Sequence, residues 1–506
     1  MIRRVLVLGG GSAGFLAAIT LKHILPSISI TVLRSKDLGI IGVGEGTTVM
    51  FPIFIHGRLG MDPAEFHRIA QPTWKLGIRF RNWGPREFFD YTFRPAVTSR
   101  WQQLPKPNGY YCFDDFTDVD ISSALMDQDK VFRRDEYGLF CLSTDAAYHI
   151  ENQKFVEALE RNATRRGILM RDDTVVDVLQ DEHRVTGLRL ASGQTEQADL
   201  FVDCSGFHAM LLGKALGEPF TSFKTTLFCD RAVVGGWDRT TESVHPYTTA
   251  EAMDAGWCWR IDHEHRINRG YVYSSAFISD EDAEREFRSK CPAVATTRIV
   301  RFVSGRYDRL WVKNVVAIGN AAGFVEPMEA TALTAICEAS WSLAHMLAVC
   351  DGQPGASILD LYNKRMTRQW DQIRRFLAIH YRFNTRGQTP FWQACREKLD
   401  MAGAEPIVQF YREHGPALLS TNDILGPEDQ FGFEGYYSIL LGQRVPYRQT
   451  HPVSETERDI WRRVQARNRG IAADAYSVPS ALAYIRQPGF QWPRNLFDPR
   501  TAYAVT

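Results

Sequence analysis

The run Val5-Leu6-Val7-Leu8-Gly9-Gly10-Gly11-Ser12-Ala13-Gly14 decides how the chain begins to fold. Residues 3–8 make an apolar, branched run suited to a buried strand. Gly9, Gly11 and Gly14 then satisfy G-x-G-x-x-G. The three glycines serve a tight turn, a close backbone approach and tight helix packing, and each of these needs the Cβ to be missing. Residues 13–25 carry helical periodicity up to Pro26, and a second apolar run, Ser29-Ile30-Thr31-Val32-Leu33, follows. Strand, glycine turn, helix and strand within about thirty residues form a βαβ unit, the start of a Rossmann-like parallel sheet. The N–H groups and positive dipole end at Ser12 and Ala13 would face a pyrophosphate. Gly9, Gly11, Ser12, Ala13 and Gly14 are therefore candidate dinucleotide contacts, against the plainer reading of a merely structural turn.

Outward from that turn, the bulk of the chain narrows the function classes. It has 506 residues, 44% of them hydrophobic, and its 59 basic and 59 acidic side chains cancel. The chain can bury a large core, and without Lys/Arg runs or acidic blocks it is expected to bind neither nucleic acid nor a membrane surface. Nine cysteines contain no C-x-x-C pair and no zinc-like Cys/His spacing. No metal site is expected, and reduced, buried thiols suit a cytoplasmic location. Met1-Ile2-Arg3-Arg4 before an apolar run has the look of a secretory signal, but the run breaks at once into glycines. Ala332 to Cys350 is apolar yet holds Glu338 and His345, so it reads as a packed helix and not a membrane span.

Two later segments repeat the opening pattern, Ala198-Asp199-Leu200-Phe201-Val202-Asp203-Cys204-Ser205-Gly206 and Val315-Val316-Ala317-Ile318-Gly319-Asn320-Ala321-Ala322. Each is a buried strand running into small residues, which implies a nucleotide domain interrupted by insertions. Such extra turns, with Gly319 and Asn320 as candidates, favour FAD over NAD, which does not need them. Between them, Thr225 to Val234 and Gly270 to Phe277 look like an antiparallel, substrate-side sheet. From Pro327 the chain reads as helical, over 333–348, 357–383 and 390–401, and 488–506 reads as an extended surface tail. The expected fold is α/β: an FAD-binding Rossmann-like domain of the flavoprotein monooxygenase type, with an inserted antiparallel sheet and a helical C-terminal part. The expected division is a core over 1–340 and a substrate-side region over 341–506. In Leu33-Arg34-Ser35-Lys36-Asp37, Arg34 stands where an acid usually meets the ribose. It is either a cofactor contact, stacked on adenine or touching the pyrophosphate, or a solvated charge.

Five segments then point to one family: Gly42-Val43-Gly44-Glu45, Trp74-Lys75-Leu76, Asp203-Cys204-Ser205-Gly206-Phe207, Trp257-Cys258-Trp259-Arg260-Ile261 and Phe324-Val325-Glu326-Pro327-Met328-Glu329. With Gly270-Tyr271-Val272-Tyr273-Ser274-Ser275 they resemble, in one collinear order from residue 2 to about 453, the tryptophan-halogenase family. The resemblance implies a flavin-dependent halogenase in which FADH2, molecular oxygen and chloride or bromide yield a flavin hydroperoxide and then hypohalous acid. It places Lys75 in a tunnel between flavin and substrate, as relay. Glu329 lies beside the attacked ring carbon, stabilising its cationic intermediate and taking its proton, with Glu326 as the lesser candidate. Thr331 and Ala332 fall where halide is bound, Gly44 and Glu45 join the cofactor set, and Trp257 with Trp259 would form a wall beside the flavin. The chain departs from the family at Ala330, commonly Ser, at Ala332, commonly Gly, and at Asp262, where the W-x-W-x-I-P signature has proline.

Two other functions fit the same fold, an FAD-dependent aromatic monooxygenase and a flavin-binding protein without catalysis. A hydroxylase has no reason to keep a tunnel lysine with Trp257 and Trp259, and a carrier none to keep Lys75 with Glu329. No nicotinamide site is evident, so the resemblance implies a separate NAD(P)H flavin reductase as partner, and the composition leaves room for a homodimer. The stretch Phe433 to Gln443 keeps a Gly-Gln turn, and His451-Pro452 follows, but the tryptophan-rich lid and amino acid clamp expected of enzymes acting on free tryptophan are missing. The expected substrate is indole or an indole-like ring, with free tryptophan poor.

Overall fold

In the computed structural model Arg4–Leu8 (β1) lies inside a six-stranded sheet, flanked by Ser29–Arg34 (β2) and by Leu200–Asp203. Leu169–Asp172 extends this sheet beyond β2, and Val315–Ala317 extends the other side, all in parallel register. Only the edge pair Trp311–Val312 runs antiparallel. Residues 1–506 are described except 37–38, 40–41, 43, 94–103, 106–108, 113–116, 418–422, 427–428, 450 and 500–506.

Ser12–Ile24 (α1) crosses from β1 to β2, and its residues Gly14 to Leu21 are all buried. A strand and helix with so few exposed positions form here because burying each large apolar side chain contributes roughly 1.5–3 kcal/mol. The turn between them has no room for side chains: a Cβ on Gly9, at φ +126°, would meet the Cys204 carbonyl oxygen at 2.3 Å, and one on Gly14 would meet that of Gly9 at 1.9 Å. Both later turns expected from the sequence end strands of this sheet, next to β1 and next but one.

The second large sheet has seven strands: Thr297–Arg301, Arg231–Asp238, Arg266–Tyr273, Gly256–Asp262, Thr248–Met253, Gly77–Arg81 and Phe88–Thr92, in that order. It is antiparallel except where Thr248–Met253 meets Gly77–Arg81 in parallel. The inserted sheet is therefore larger than residues 225–277 suggest. Its last two strands come from the segment after Lys75, and a three-stranded sheet joins there: Glu45–Gly46, Ala147–Ile150 and Thr73–Lys75.

Ala332–Val349 (α2) and Ala356–Arg382 (α3) follow the second small-residue turn. α2 is long and apolar enough to cross a membrane by composition alone, yet 67% of it is buried, packed between α1 and α3. Residue 340, the boundary expected from sequence, falls inside α2. Of the tail, Trp492 and Phe497 pack on His67 and His56, and the final seven residues lie outside the described set.

Candidate active site

The glycine turn fits a dinucleotide. Gly9 and Gly14 are closed in by backbone, whereas a Cβ on Gly11, at the mouth of α1, would meet nothing within 4 Å. The Gly319–Ala321 turn closes on the same end of α1, since a Cβ on Gly319 would lie 2.8 Å from that of Ala13. A cleft of about 550 Å³, its open mouth included, runs on past Gly319, Asn320, Glu326, Thr331 and Ala332. Four of the sequence candidates, Gly319, Asn320, Thr331 and Ala332, thus line one groove, and Ala13 lies beside Gly319.

Arg34 packs over Gly10 at this turn, and both terminal nitrogens bond the Glu160 carboxylate at 2.6 and 2.7 Å. It is not the solvated charge that one reading allowed: its side chain is 15% exposed. Its Nε is buried without a partner among the described residues. That leaves a donor for a bound group beside the glycines. Gly44 donates its N–H to Asn152 Oδ1 at 3.1 Å, and the Asn152 amide bonds the Glu45 carboxylate. Burial pushes the Glu45 carboxyl up. Val43, between the glycines of that motif, lies outside the described residues.

Lys75 is fully buried, and its Nζ has no hydrogen-bond partner among the described residues. The strand Thr73–Lys75 pairs it with Ala147, and the Phe93 ring lies 5.2 Å from Nζ. Burial brings its pKa down to about 7, with Glu329 pulling the other way. Two groups of opposite charge type, from segments 254 residues apart in the chain, are thus close enough to interact electrostatically.

Glu329 ends the short turn Pro327–Glu329, and Ala330 after it adopts a left-handed conformation at φ +55°. That conformation costs a non-glycine residue on the order of 1 kcal/mol, and here it swings the chain into the first turn of α2 at Thr331 and Ala332. His380 on α3 holds Glu329 Oε1 at 2.7 Å through Nε2, and its Nδ1 faces the Phe376 carbonyl at 2.9 Å. The next residue, Tyr381, donates to Glu326 Oε2, which also accepts from Trp257 Nε1 at 2.9 Å. Burial pushes Glu326 up to about 7 against these two bonds. Consecutive residues of one helix therefore anchor both glutamates of the motif. Sequence reading missed His380 and Tyr381: they lie about fifty residues beyond the motif, in a helix whose periodicity marks them only as buried.

Trp257 and Trp259 share a face of Gly256–Asp262, with ring centroids 6.1 Å apart. Trp259 lies over Gly270, where a Cβ would strike its indole at 2.1 Å, and its Nε1 has no partner among the described residues. Asp262, in place of the family's proline, is fully buried and pairs with Arg239 and Arg260. An added charge at this corner is tolerated because two guanidiniums meet it. Among the described residues no group of three His, Cys, Asp or Glu side chains is placed to hold a metal.

Comparison with known proteins agrees with this geometry. Residues 4–459 match the family profile described as tryptophan halogenase. The chain is 30% identical to tryptophan 7-halogenase RebH of Lentzea aerocolonigenes, over 96% of this chain and 98% of that protein. Among solved structures, MibH, described as a lathipeptide tryptophan 5-halogenase, superposes with a TM-score of 0.86 at 38% identity, covering 96% of this chain and 93% of its own. The flavin-dependent halogenase Xcc4156 from Xanthomonas campestris gives a TM-score of 0.85 at 26% identity, covering 97% and 100%.

Proposed function

The chain belongs to the tryptophan halogenase family and is a flavin-dependent halogenase, and from that premise we propose that it halogenates an indole ring through Lys75 and Glu329. The observation that carries the residue roles is the buried, unpartnered Lys75 amine within electrostatic reach of a glutamate held by His380. Reduced FAD, handed over by a separate NAD(P)H flavin reductase, supplies hypohalous acid from molecular oxygen and chloride or bromide. The rest is done by this chain's side chains.

The glycine turn and the Gly319–Asn320 turn hold the dinucleotide, and Arg34 Nε offers it a further donor. Backbone N–H groups at Thr331 and Ala332 hold the halide at the start of α2. Trp257 and Trp259 would wall the bound flavin, with Trp257 fixed by Glu326. With its pKa near 7, Lys75 is present at neutral pH in both forms. The ammonium donates a hydrogen bond to the oxygen of hypohalous acid and polarises the O–X bond. The amine takes the halogen with loss of water. Either form presents an electrophilic halogen to the ring. Glu329 stabilises the ring cation, and Oε2, the oxygen not bonded to His380, takes the ring proton. Ring C–H and hypohalous acid become ring C–X and water.

The substrate is an indole ring without an amino acid clamp: indole, or an indole derivative, with free tryptophan poor. Losing the polar contacts of a clamp costs a zwitterion much of its binding energy, and a bare ring little. The 38% identity to MibH favours a second reading, a tryptophan side chain carried in a peptide, which likewise presents no free amino acid group. Competition assays with indole, free tryptophan and an N-acetyl tryptophan amide test this. The expected result is a higher kcat/KM for indole or the amide than for tryptophan. Equal or better efficiency on tryptophan would refute it.

A further inference from the structure

Both ring nitrogens of His380, on α3, are engaged: Nδ1 faces the Phe376 carbonyl at 2.9 Å and Nε2 faces Glu329 Oε1 at 2.7 Å. A carbonyl oxygen only accepts, so Nδ1 carries a hydrogen. A neutral imidazole with its hydrogen on Nδ1 has a lone pair at Nε2. Were Glu329 then an ionised carboxylate, two acceptors would face each other across 2.7 Å and repel. The contact therefore contains a proton, carried by Nε2 of an imidazolium or by Oε1 of a carboxylic acid. In either form Glu329 is not a solitary carboxylate.

The surroundings support this. His380 is fully buried, enclosed by the rings of Phe80, Trp83 and Phe376, and Glu329 keeps 4% of its surface. A carboxylate without a cation is unfavourable at such a place. The other charged or titratable groups that act on Glu329 are Lys75, from the strand Thr73–Lys75, and Tyr91, from Phe88–Thr92. A second proton cannot enter at Nδ1, Nε2 or Oε1, which the two hydrogen bonds occupy. Oε2 accepts no hydrogen bond among those described, so it is the atom of the pair open to a proton. Nor can the pair pass a proton through the ring, because the carbonyl beyond Nδ1 neither holds nor forwards one.

We propose that Glu329 and His380 act as one base, which holds one proton at rest and receives the ring proton at Oε2 as its second. This rests on the halogenase reading with Glu329 as proton acceptor. The ring C–H bond breaks, its electron pair restores the aromatic ring, and the proton binds Oε2. The proton of the Oε1–Nε2 contact ends on Nε2, which leaves a carboxylic acid beside an imidazolium. The second proton returns to water from Oε2 after product has left. His380 touches no substrate: it is a positioning residue that also keeps Glu329 able to accept.

The test is His380→Gln, whose side-chain amide still donates to Oε1 but cannot carry the proton. Glu329 then has a hydrogen bond without a cation, takes a proton from water on Oε2 and loses its acceptor. The full chain is assayed with FAD, NADH, flavin reductase, bromide, indole, and taurine to capture escaped hypobromous acid. At pH 7 the variant is expected to lower kcat for bromoindole at least about tenfold. The KM for indole, NADH consumption and the FAD dissociation constant should stay within about twofold of wild type, with bromotaurine raised. Raising the pH to 9 should return most of the lost rate, relative to wild type. In a Glu329→Gln background His380→Gln should change the rate less than about twofold, because the base is already gone. A merely structural His380 predicts a wild-type rate from His380→Gln, since the hydrogen bond is kept. That result overturns the proposal, as does a loss equal at pH 7 and pH 9, or one equally large in both backgrounds. A second measurement needs no variant at position 380: with 15N-labelled histidine, the ring signal that moves in Glu329→Gln should show Nδ1 protonated in the wild type. A ring protonated on Nε2 alone overturns the proposal. If the wild type makes neither bromoindole nor bromotaurine, the functional reading fails instead.

Discussion

Lys75 carries a stability signature apart from its proposed role as relay. Its pKa is near 10.5 when unfolded and about 7 when folded, so between those values the unfolded chain binds more protons and stability rises with pH. Below pH 7 both states are protonated and the full cost of burying the charge is present. It amounts to roughly 4–5 kcal/mol at about 1.4 kcal/mol for each pKa unit. Lys75→Met should therefore be more stable than wild type at pH 6 in urea unfolding, with the gap closing toward pH 10. A gap independent of pH contradicts the buried amine. Glu329→Gln keeps the shape but loses the proton acceptor, so aromatic halogenation should fall about 10²–10⁴-fold while escaping hypohalous acid persists. An unchanged rate moves the role to Glu326. Lys75 and Glu329 were legible because each sits in a short motif with a family resemblance. His380 was not, because its meaning lies in a contact across the fold: nothing local marks it as the partner of Glu329.

At the scale of elements, the glycine turn was the most readable part. Strand, turn and helix sit within a few residues of the expected limits because buried periodicity and glycine spacing are local signals. Gly14→Val should raise the FAD dissociation constant at least about tenfold, about 1.4 kcal/mol, because even a Cβ would lie 1.9 Å from the Gly9 oxygen. Unaltered affinity in a calorimetric titration contradicts the turn's role. The large sheet was only half legible. Arg231–Asp238 and Arg266–Tyr273 are eight-residue strands, whereas Gly77–Arg81 spans only five residues, too short for the alternation of Ile78 and Phe80 with Arg79 and Arg81 to stand out. Its parallel neighbour lies about 170 residues away, a pairing that periodicity cannot reveal. Arg34 shows the same limit: its place at the end of β2 was readable, its partner Glu160 on another helix was not.

At the scale of the whole molecule, two sheets and a long helix position the candidate site residues. The Rossmann-like sheet sets the glycine turns, the seven-stranded sheet supplies the two tryptophans, and α3 fixes both glutamates. This arrangement explains why a hydroxylase reading is the weaker one: direct oxygen transfer needs substrate over the flavin, and has no use for a buried, partnerless lysine within electrostatic reach of a buried glutamate. The central claim is that Lys75 passes a halogen from the flavin side to the ring. Its most direct test compares wild type and Lys75→Ala with flavin reductase, NADH, FAD, bromide and indole, reading both NADH consumption and product mass. Wild type is expected to give bromoindole, and Lys75→Ala the same NADH consumption with no site-selective bromoindole. Hydroxylated indole from the wild type, or undiminished bromination by Lys75→Ala, would contradict it.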